Sequence, residues 1–504
     1  MKERHDHSNH HQHPCGCCTL MPRRGFMTTV GLGALTASSG LLADRAAGAG
    51  EPAQPAKRPR VRAVFVRPKV DRYWMGWPGA AYDVPARQAQ YTKTMTEAAS
   101  SLGVDLAVTA EPIAELDQMS ALVTECAQSP PDGVLITAMS LNEAWDKIEQ
   151  FITKRPAEVP TVVFSPMGTS FLNHVQAMQK AAEGTKTFLA STQEVEWLAF
   201  GLRMLHTYWQ MKTTRICVVR GRAPEDVELG PIGTTLRYIP ATRFSEEYGK
   251  VEDGDEVRAL AEKWTRSAEK IVEPSPQDIL DSAKTYVACR RLMAAEGCQG
   301  IAVDCLPHVK NNTAPPPCMG FSQLNDEGIV AACQADWPAA LSLRLTWLLT
   351  GQPGFMQNIC VNTANNTLMG SHCTCPLHLE GKDNGPAPLI LRTHAESDVG
   401  VAPQVLWPEG RDVTILKFSE PRWGAPPETA ETAAGSVLLG SGRVLRNIDT
   451  PPSGGCRTSL EVAVDGVEDV RSLKFLHHQV FILGSHKQKL RSYCELSGID
   501  VTSV

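Results

Sequence analysis

One short stretch places polar side chains directly after an apolar run. The run VAAC at 330–333 is followed by Gln334 and, two positions later, by Asp336. Parallel α/β sheets bind ligands beyond the carboxyl ends of their strands, so we expect functional side chains at this junction. A glutamine there carries no charge and no titratable proton, whereas a carboxylate can act as acid or base. We therefore take Asp336 as a candidate catalytic residue, and Gln334 and Trp337 as candidates for substrate binding.

Asp336 also has a purely structural interpretation. Pro338 suits the first turn of a helix, and a carboxylate just ahead of it accepts hydrogen bonds from the free N–H groups. Gly351 is a typical residue to follow the last helical turn. The pattern therefore predicts a helix cap at Asp336 as readily as an active carboxylate.

A second apolar run ends in polar residues. The segment QGIAVDCLP at 299–307 contains Asp304 at the end of a predicted strand, and His308 follows it. By position, Asp304 is a candidate catalytic carboxylate and His308 a candidate substrate-binding residue. Either could equally be a loop residue that caps a helix or faces solvent.

Two further segments contain histidines that could take part in chemistry. His372 lies beside Cys373 and Cys375, the cysteine pair in which metal or redox chemistry is most plausible, although ordinary packing explains them too. His477 and His478 are adjacent in an alternating strand, so their side chains lie on opposite faces and at most one is functional. We take His478 as a candidate catalytic residue.

These residues are positioned by alternating strands and helices. Over 60–170, strand-like runs alternate with helical patterns at the spacing of right-handed crossovers, which predicts a parallel sheet. A second such series follows over 171–385 and contains the candidate site. From 386 to 504, short β runs with Gly and Pro turns predict a small barrel or sandwich, which closes with a strand and a helix. The predicted fold is α/β: two doubly wound domains and a β-rich third.

Residues 1–49 do not belong to this fold. Arg23 and Arg24 precede an apolar stretch to about Leu42 and the small residues AGA at 47–49, which is typical of a twin-arginine export signal. The stretch is too short and too rich in Thr, Ser and Gly for a membrane span. We predict that it is removed, leaving no anchor, and that the protein is periplasmic or extracellular. The preceding HDHSNHHQHPCGCC could hold zinc or copper, or be a leader lost with the signal.

Composition restricts the partners. The chain has 504 residues, 42% of them apolar, which suffices for two or three packed domains. The formal charge is −6 and no basic stripe is present, so nucleic acid and anionic membranes are poor candidates. A neutral polar ligand fits better.

Three segments, in the same order and at similar spacing, resemble those of the L-fucose and L-arabinose isomerases. They are ACQADWPAALSLRLTWLLTGQP, LMGSHCTCP and HHQVFILGSHKQKLRSYCELSGIDV, which lie between residues 330 and 501. The resemblance implies two α/β domains followed by a β-rich third, a small sugar or oligosaccharide as ligand, and a homo-oligomer with sites at subunit contacts. Earlier in the chain the similarity is architectural only.

The resemblance also implies a reaction and a metal. Such isomerases move a proton between adjacent carbons through an enediol, with bound Mn²⁺ held by two acidic residues and one or two histidines. The acidic positions are matched here by Gln334 and Asn358, and the histidine positions by His372 and by His477 or His478. Two amides in place of two carboxylates weaken a site for a hard divalent ion, so manganese is doubtful and Asn358 becomes a candidate for substrate binding.

Three functions therefore remain open. The first is an aldose–ketose isomerase. The second is an exported glycoside hydrolase on the isomerase fold, which needs two carboxylates across the pocket and has Asp304, Asp336 and Glu327 available. The third is a sugar-binding module that has lost the chemistry.

Overall fold

The computed structural model describes residues 57–74, 81–221, 223–419, 434–449, 456–474 and 478–504. The predicted export signal, the His/Cys-rich leader and His477 lie outside these described residues. No helix among the described residues has both the length and the apolar character needed to cross a bilayer.

The first part of the chain forms a parallel five-stranded sheet with strand order β4-β1-β5-β6-β7. Its elements, with the short hairpin β2–β3, are β1 (Arg60–Val66), β2 (Arg72–Trp74), β3 (Ala81–Asp83), α1 (Val84–Leu102), β4 (Asp105–Val108), α2 (Leu116–Gln128), β5 (Gly133–Ala138), α3 (Trp145–Lys154), β6 (Thr161–Pro166), α4 (Leu172–Ala182) and β7 (Thr187–Thr192). Since β7 belongs to this sheet, the sheet continues past residue 170. The strands are apolar on both faces, as expected for a sheet covered by helices on each side.

A second sheet follows, with strand order β13-β12-β8-β10-β9, in which only β9 is antiparallel. Its elements are α5 (Glu196–Thr213), β8 (Arg215–Val219), β9 (Glu225–Glu228), β10 (Thr235–Ile239), α6 (Thr242–Tyr248), α7 (Asp255–Ser267), β11 (Lys270–Ile271), α8 (Pro276–Glu296), β12 (Gly300–Val303), α9 (Leu306–Lys310), α10 (Cys318–Asp326), β13 (Val330–Cys333) and α11 (Trp337–Thr350). The strand β11 lies apart from this sheet and pairs with β16. The two predicted parallel sheets are confirmed.

The last part of the chain forms a closed six-stranded antiparallel barrel. Its strand order is β18-β21-β14-β15-β20-β19, and β18 pairs again with β19 to close it. The elements are β14 (Phe355–Asn362), β15 (Thr367–His372), β16 (Leu389–Arg392), β17 (Ala402–Val405), β18 (Asp412–Phe418), β19 (Ser436–Asn447), β20 (Thr458–Val464), β21 (Gln479–Leu483), α12 (Lys487–Ser497) and β22 (Asp500–Ser503). The predicted barrel is confirmed. Two of its strands, β14 and β15, precede residue 386, the position at which the β-rich region was predicted to begin.

Helix α11 connects the second sheet to the barrel. It follows β13 directly and packs against β18 and β21 of the barrel. The first turn of α11 therefore lies where the carboxyl ends of the parallel strands meet one end of the barrel strands. This arrangement positions the candidate site.

Candidate functional site

The junction between β13 and α11 has an unusual backbone. Gln334 and Ala335 both adopt left-handed conformations, with φ of 55° and 53°. Non-glycine residues avoid this region, and such strain is concentrated at functional sites where the surrounding structure enforces it. The turn brings the next residue, Asp336, into position to cap α11, and its Oδ1 accepts a hydrogen bond from the Ala339 N–H at 2.7 Å. The predicted cap is confirmed, as is the helix end at Gly351, which has φ 73°.

Asp336 is also the centre of a buried ion-pair cluster. Lys417 Nζ lies 2.9 and 2.7 Å from its two oxygens, and His478 Nδ1 lies 2.8 Å from Oδ2. All three side chains are fully buried. Burial alone would raise the pKa of Asp336, but Lys417 and His478 outweigh it and hold that pKa below its ordinary value.

These contacts bear on the predicted role of Asp336. Both carboxylate oxygens are engaged by Lys417, His478 and the helix N-terminus, which favours the ionised form of Asp336. The geometry fits a positioning residue that orients His478, and a role of Asp336 as acid or base stays a prediction. The cluster is named here the Asp336–Lys417–His478 triad.

The triad fixes the state of His478. In the neutral ring, the proton on Nδ1 is donated to Asp336, so Nε2 carries the lone pair. Burial lowers the pKa of His478, and its contact with Asp336 opposes that effect. The ring of His372 lies edge-on to that of His478, with centroids 5.1 Å apart, and its Nδ1 lies 3.0 Å from Thr374 Oγ1. Two histidines that are far apart in the sequence are thus neighbours at the site.

The carboxyl ends of three parallel strands lie at the end of the second sheet where α11 begins. Strand β12 runs between β8 and β13 with the last residues of all three in register. The next residues, Arg220, Asp304 and Gln334, therefore follow the strand ends in the order β8, β12, β13, with Asp304 between the other two. Arg220 Nε is 3.8 Å from Asp304 Oδ2, and their side chains are 40% and 26% exposed. The structure thus brings predicted residues Asp304 and Gln334 together and adds an arginine.

Two of the predicted substrate-binding side chains are buried instead. His308 lies in α9, where its ring packs edge-on against Phe244 at 5.3 Å and its Nδ1 lies 3.2 Å from Thr313 Oγ1. Burial lowers the pKa of His308. Trp337 is 7% exposed and belongs to the hydrophobic core. These surroundings are those of packed side chains, and the substrate-binding roles of His308 and Trp337 stay predictions.

Barrel strand β14 contributes amides to the same end of the barrel. Asn358 pairs with Ser371 of β15, and it follows Gln357, which pairs with Gln479 of β21. Gln357 and Gln479 are 0% and 1% exposed, yet none of their side-chain N and O atoms has a hydrogen-bond partner among the described residues. The Oε1 of Gln357 occupies the space that a Cβ on Gly370 would need.

Strand register places further polar residues level with these amides. If each strand pairing is continued by one residue, His372 of β15 lies opposite Gln357 of β14, and Lys417 of β18 lies opposite Gln479 of β21. Lys417, Gln479, Gln357 and His372 form what we call the polar belt. All four are buried. Within this belt, Lys417 pairs with Asp336 and His372 contacts Thr374, whereas the Gln357 and Gln479 amides have no hydrogen-bond partner among the described residues. Buried amides are costly unless a ligand or water satisfies them, so the two glutamines make this end of the barrel a candidate binding position.

The cysteines near the site are free thiols packed among themselves. Cys305 Sγ and Cys333 Sγ are 3.5 Å apart, and Cys373 packs with Cys318. Cys375 faces elsewhere: its Sγ accepts a hydrogen bond from the indole N–H of Trp407 at 3.3 Å, and burial raises its pKa. Cys373 and Cys375 therefore have separate surroundings.

Among the described residues, the side chains at the predicted ligand positions are poor donors for a hard divalent cation. Within the described residues, no group of three or more His, Cys, Asp or Glu side chains is arranged to hold a metal ion. Gln334 and Asn358 bring neutral oxygens, and the adjacent carboxylate, Asp336, is already paired with Lys417. Mn²⁺ prefers anionic oxygens, so the donor set is poor for the metal that the resemblance implies.

Sequence reasoning missed Lys417, Gln357, Gln479 and Arg220. Lys417 had a usable signal, since a lysine inside the apolar run VTILKF is expected to have an anionic partner if that strand is buried. Gln479 and Gln357 had none, because their significance depends on strand register. Arg220 directly follows a predicted strand, and the same rule that selected Asp304 would have found it.

Comparison with known proteins shows a distant similarity to sugar isomerases. No family model matches the chain. It is 29% identical over 168 residues to the sulfoquinovose isomerase of Clostridium sp. (strain MSTE9), covering 33% of this chain and 37% of that protein. It is 28% identical over 181 residues to the sulfoquinovose isomerase of Alkalicoccus urumqiensis, covering 34% and 40%. The chain thus spans about two-fifths of the length of these curated relatives.

One solved structure gives a looser match. The sugar-binding protein of a sugar ABC transporter from Bacillus halodurans covers 60% of this chain and 91% of its own, at 14% identity and a TM-score of 0.17. A TM-score of that size carries no argument about fold or function. The comparisons as a whole therefore show similarity to sugar isomerases over about a third of the chain.

Proposed function

We propose that this protein is a carbohydrate-active enzyme of the L-fucose and L-arabinose isomerase kind, which interconverts an aldose and a ketose with His478 as the proton-carrying group. The observation that carries the proposal is the 2.8 Å contact between His478 Nδ1 and Asp336, next to the carboxyl ends of a parallel sheet. A carboxylate that orients an imidazole is the usual arrangement for a histidine base. The similarity to sulfoquinovose isomerases supports the same reaction class.

Each member of the triad has a role in this reaction. His478 Nε2 removes the proton from the carbon next to the carbonyl, which gives an enediol, and returns it to the neighbouring carbon. The hydroxyl proton moves between the two oxygens in the same direction, from O2 to O1 when the aldose becomes the ketose. Asp336 stabilises the imidazolium that forms in between, and Lys417 keeps Asp336 ionised throughout.

The amides of the site are proposed to bind the sugar. Gln334 and Asn358 stand where the related isomerases place acidic residues, and each offers one acceptor and two donors to sugar hydroxyls. Gln357 and Gln479 supply further amide groups at the end of the barrel, and no described residue satisfies them. The proposed reaction does not rely on manganese, because the donor set does not suit it.

The proposed substrate is a small sugar with an acidic group. The matched relatives are named for sulfoquinovose, and Arg220, which also pairs with Asp304, provides a partly exposed cation at the strand ends. We further propose that the protein acts after export through the twin-arginine route and that it is a homo-oligomer.

Proton exchange with solvent tests the reaction. The chain without residues 1–49 is incubated in D₂O with sulfoquinovose, L-fucose or L-arabinose after treatment with EDTA, and the C1 and C2 positions are followed by NMR. We expect deuterium incorporation and ketose formation, which fall at least about 100-fold in His478→Gln. Because the neutral ring is the base and burial lowers the pKa of His478, the rate should decrease with falling pH only below the ordinary histidine pKa of about 6.5. Activity that requires Mn²⁺ after EDTA treatment would contradict the proposal.

A sugar-binding module is the second candidate, and the neutral amides at the acidic positions favour it. Calorimetric binding of one of these sugars without any proton exchange would establish that alternative.

Glycoside hydrolysis is less well supported, because the available carboxylates are paired: Asp336 with Lys417, Asp304 with Arg220, and Glu327 with Tyr286 at 2.9 Å.

A further inference from the structure

Helices α5 and α11 form a cluster of basic side chains at the opposite end of the second sheet from the triad. Arg203 and His206 lie on α5, and Arg344 lies on α11. Thr214, which precedes β8 and so marks the amino end of the strands, accepts a hydrogen bond from Arg344 Nε at 3.4 Å. We call Arg203, His206 and Arg344 the cationic cluster.

Hydrogen bonding fixes the orientation of His206. The side-chain oxygen of Gln210 accepts from Arg344 Nη2 at 3.1 Å, so the Gln210 amide nitrogen is the atom 3.2 Å from His206 Nε2. That nitrogen donates, and therefore Nε2 of His206 accepts and Nδ1 carries the proton. His206 Nδ1 is buried and has no hydrogen-bond partner among the described residues. The cluster thus presents an unsatisfied donor next to two guanidinium groups.

Among the residues that the structure describes, no anion balances this charge. None of the ion pairs between described residues involves Arg203 or Arg344. Besides the two hydrogen bonds of Arg344 given above, Arg203 Nη1 donates to the Leu348 carbonyl at 3.2 Å. Arg344 is 9% exposed, and burial lowers its pKa to about 10. Burial, with Arg203 and Arg344 nearby, lowers the pKa of His206 to about 4. Arg344 is thus a buried charge without an anionic partner among the described residues, and Arg203 and His206 beside it are half-buried.

Arg155 shows how this chain treats a buried guanidinium with a purely structural role. Its Nε, Nη1 and Nη2 atoms all donate to carbonyl or hydroxyl oxygens, in five hydrogen bonds of 2.6 to 3.1 Å. Arg203 makes one such bond and Arg344 makes two. The cationic cluster therefore differs from a satisfied structural arginine in hydrogen bonding, since Arg155 likewise has no ion pair among the described residues but all of its nitrogen atoms donate.

We propose that the cationic cluster binds an oxyanion, namely a carboxylate, phosphate or sulfonate group. Arg203 and Arg344 supply the charge, and the Nδ1–H of His206 donates a directed hydrogen bond. The anion comes either from a small solute or from an Asp or Glu side chain of a second copy of this chain. The inference does not depend on the proposed isomerase function, because it concerns different residues at the other end of the sheet.

Thermal unfolding with inorganic phosphate and sulfate tests the site, at constant ionic strength set with chloride. We expect a saturable rise in Tm of about 1–3 °C for the parent chain. Arg203→Gln should abolish the rise, Arg203→Lys should retain part of it, and Arg266→Gln, which alters an exposed arginine of α7, should leave it intact. His206→Asn provides a second test that leaves both guanidinium groups in place, and it should weaken phosphate binding several-fold.

Analytical ultracentrifugation separates the two sources. If the anion is a carboxylate of another copy, phosphate gives no rise in Tm, and Arg203→Gln shifts the chain to a smaller assembly while Arg266→Gln does not. If the anion is a solute, the assembly is unchanged and the phosphate response is present. The proposal is wrong if neither a saturable phosphate effect nor a change in assembly depends on Arg203.

Discussion

Asp336 and Lys417 form an ion pair in the interior of the protein. Both are 0% exposed, and each depends on the other because a lone buried charge has lost its hydration without compensation. His478 adds a hydrogen bond but leaves the net charge of the pair unchanged while its ring is neutral. The interaction therefore controls both stability and the orientation of the proposed base.

Lys417→Met tests this dependence. Removal of the ammonium leaves Asp336 buried without its counter-ion, and we expect a loss of about 3–5 kcal/mol in the free energy of unfolding. Urea denaturation followed by circular dichroism measures it. Lys382→Met, at an exposed lysine near Trp347, is the control and should change stability by less than about 1 kcal/mol. Equal effects of the two variants would show that the buried pair contributes nothing specific.

At the scale of elements, the β13–α11 connection shows what the sequence can predict. A short apolar run, an aspartate, a proline and a closing glycine specify a strand, a cap, a helix and the end of that helix from neighbouring residues alone, and the structure contains all four features. The left-handed conformations of Gln334 and Ala335 were not predictable, because neither residue favours them. They arise from constraints outside the segment.

Ala335→Gly tests whether that backbone is strained. Glycine adopts φ near 53° without a Cβ clash, so we expect stability to stay level or rise by about 0.5–1 kcal/mol, despite the loss of a buried methyl group. The oppositely designed control is Gly351→Ala, where φ is 73° and stability should fall by about 1 kcal/mol. Thermal denaturation compares the two. A loss above about 2 kcal/mol for Ala335→Gly would mean that the turn is held by its side chain rather than strained.

At the scale of the whole molecule, the site depends on contacts that no local pattern contains. Asp336 meets Lys417 across 81 positions of sequence and His478 across 142. Fold class followed from periodicity, since the apolar runs are long and regular. The polar belt did not, because it depends on which residues of four strands become level once the barrel closes. His308 and Trp337 were selected by position alone and turned out to be packed in the interior.

The barrel amides provide a test at this scale. Replacing Gln357 and Gln479 together by Met removes four buried polar atoms without partners among the described residues, so stability should not fall and could rise by about 1 kcal/mol or more. Sugar affinity should fall at least about tenfold by calorimetry if the amides bind hydroxyl groups. Gln404→Met, at a buried glutamine that accepts from Arg392 at 2.9 Å, should instead destabilise the chain. Unchanged sugar affinity in the double variant would remove these amides from the site.

The closed barrel also determines the order in which the site can form. Strand β21 lies between β14 and β18, and it follows both of them in the chain by many residues. During synthesis, Asp336 therefore emerges well before Lys417, and His478 last of the three. Premature burial of the β13–α11 junction would enclose a carboxylate without its counter-ion, which delays collapse around the site until the barrel strands are available. Ribosome-bound chains that end before residue 417 should accordingly keep this junction accessible to protease while the first sheet is already protected.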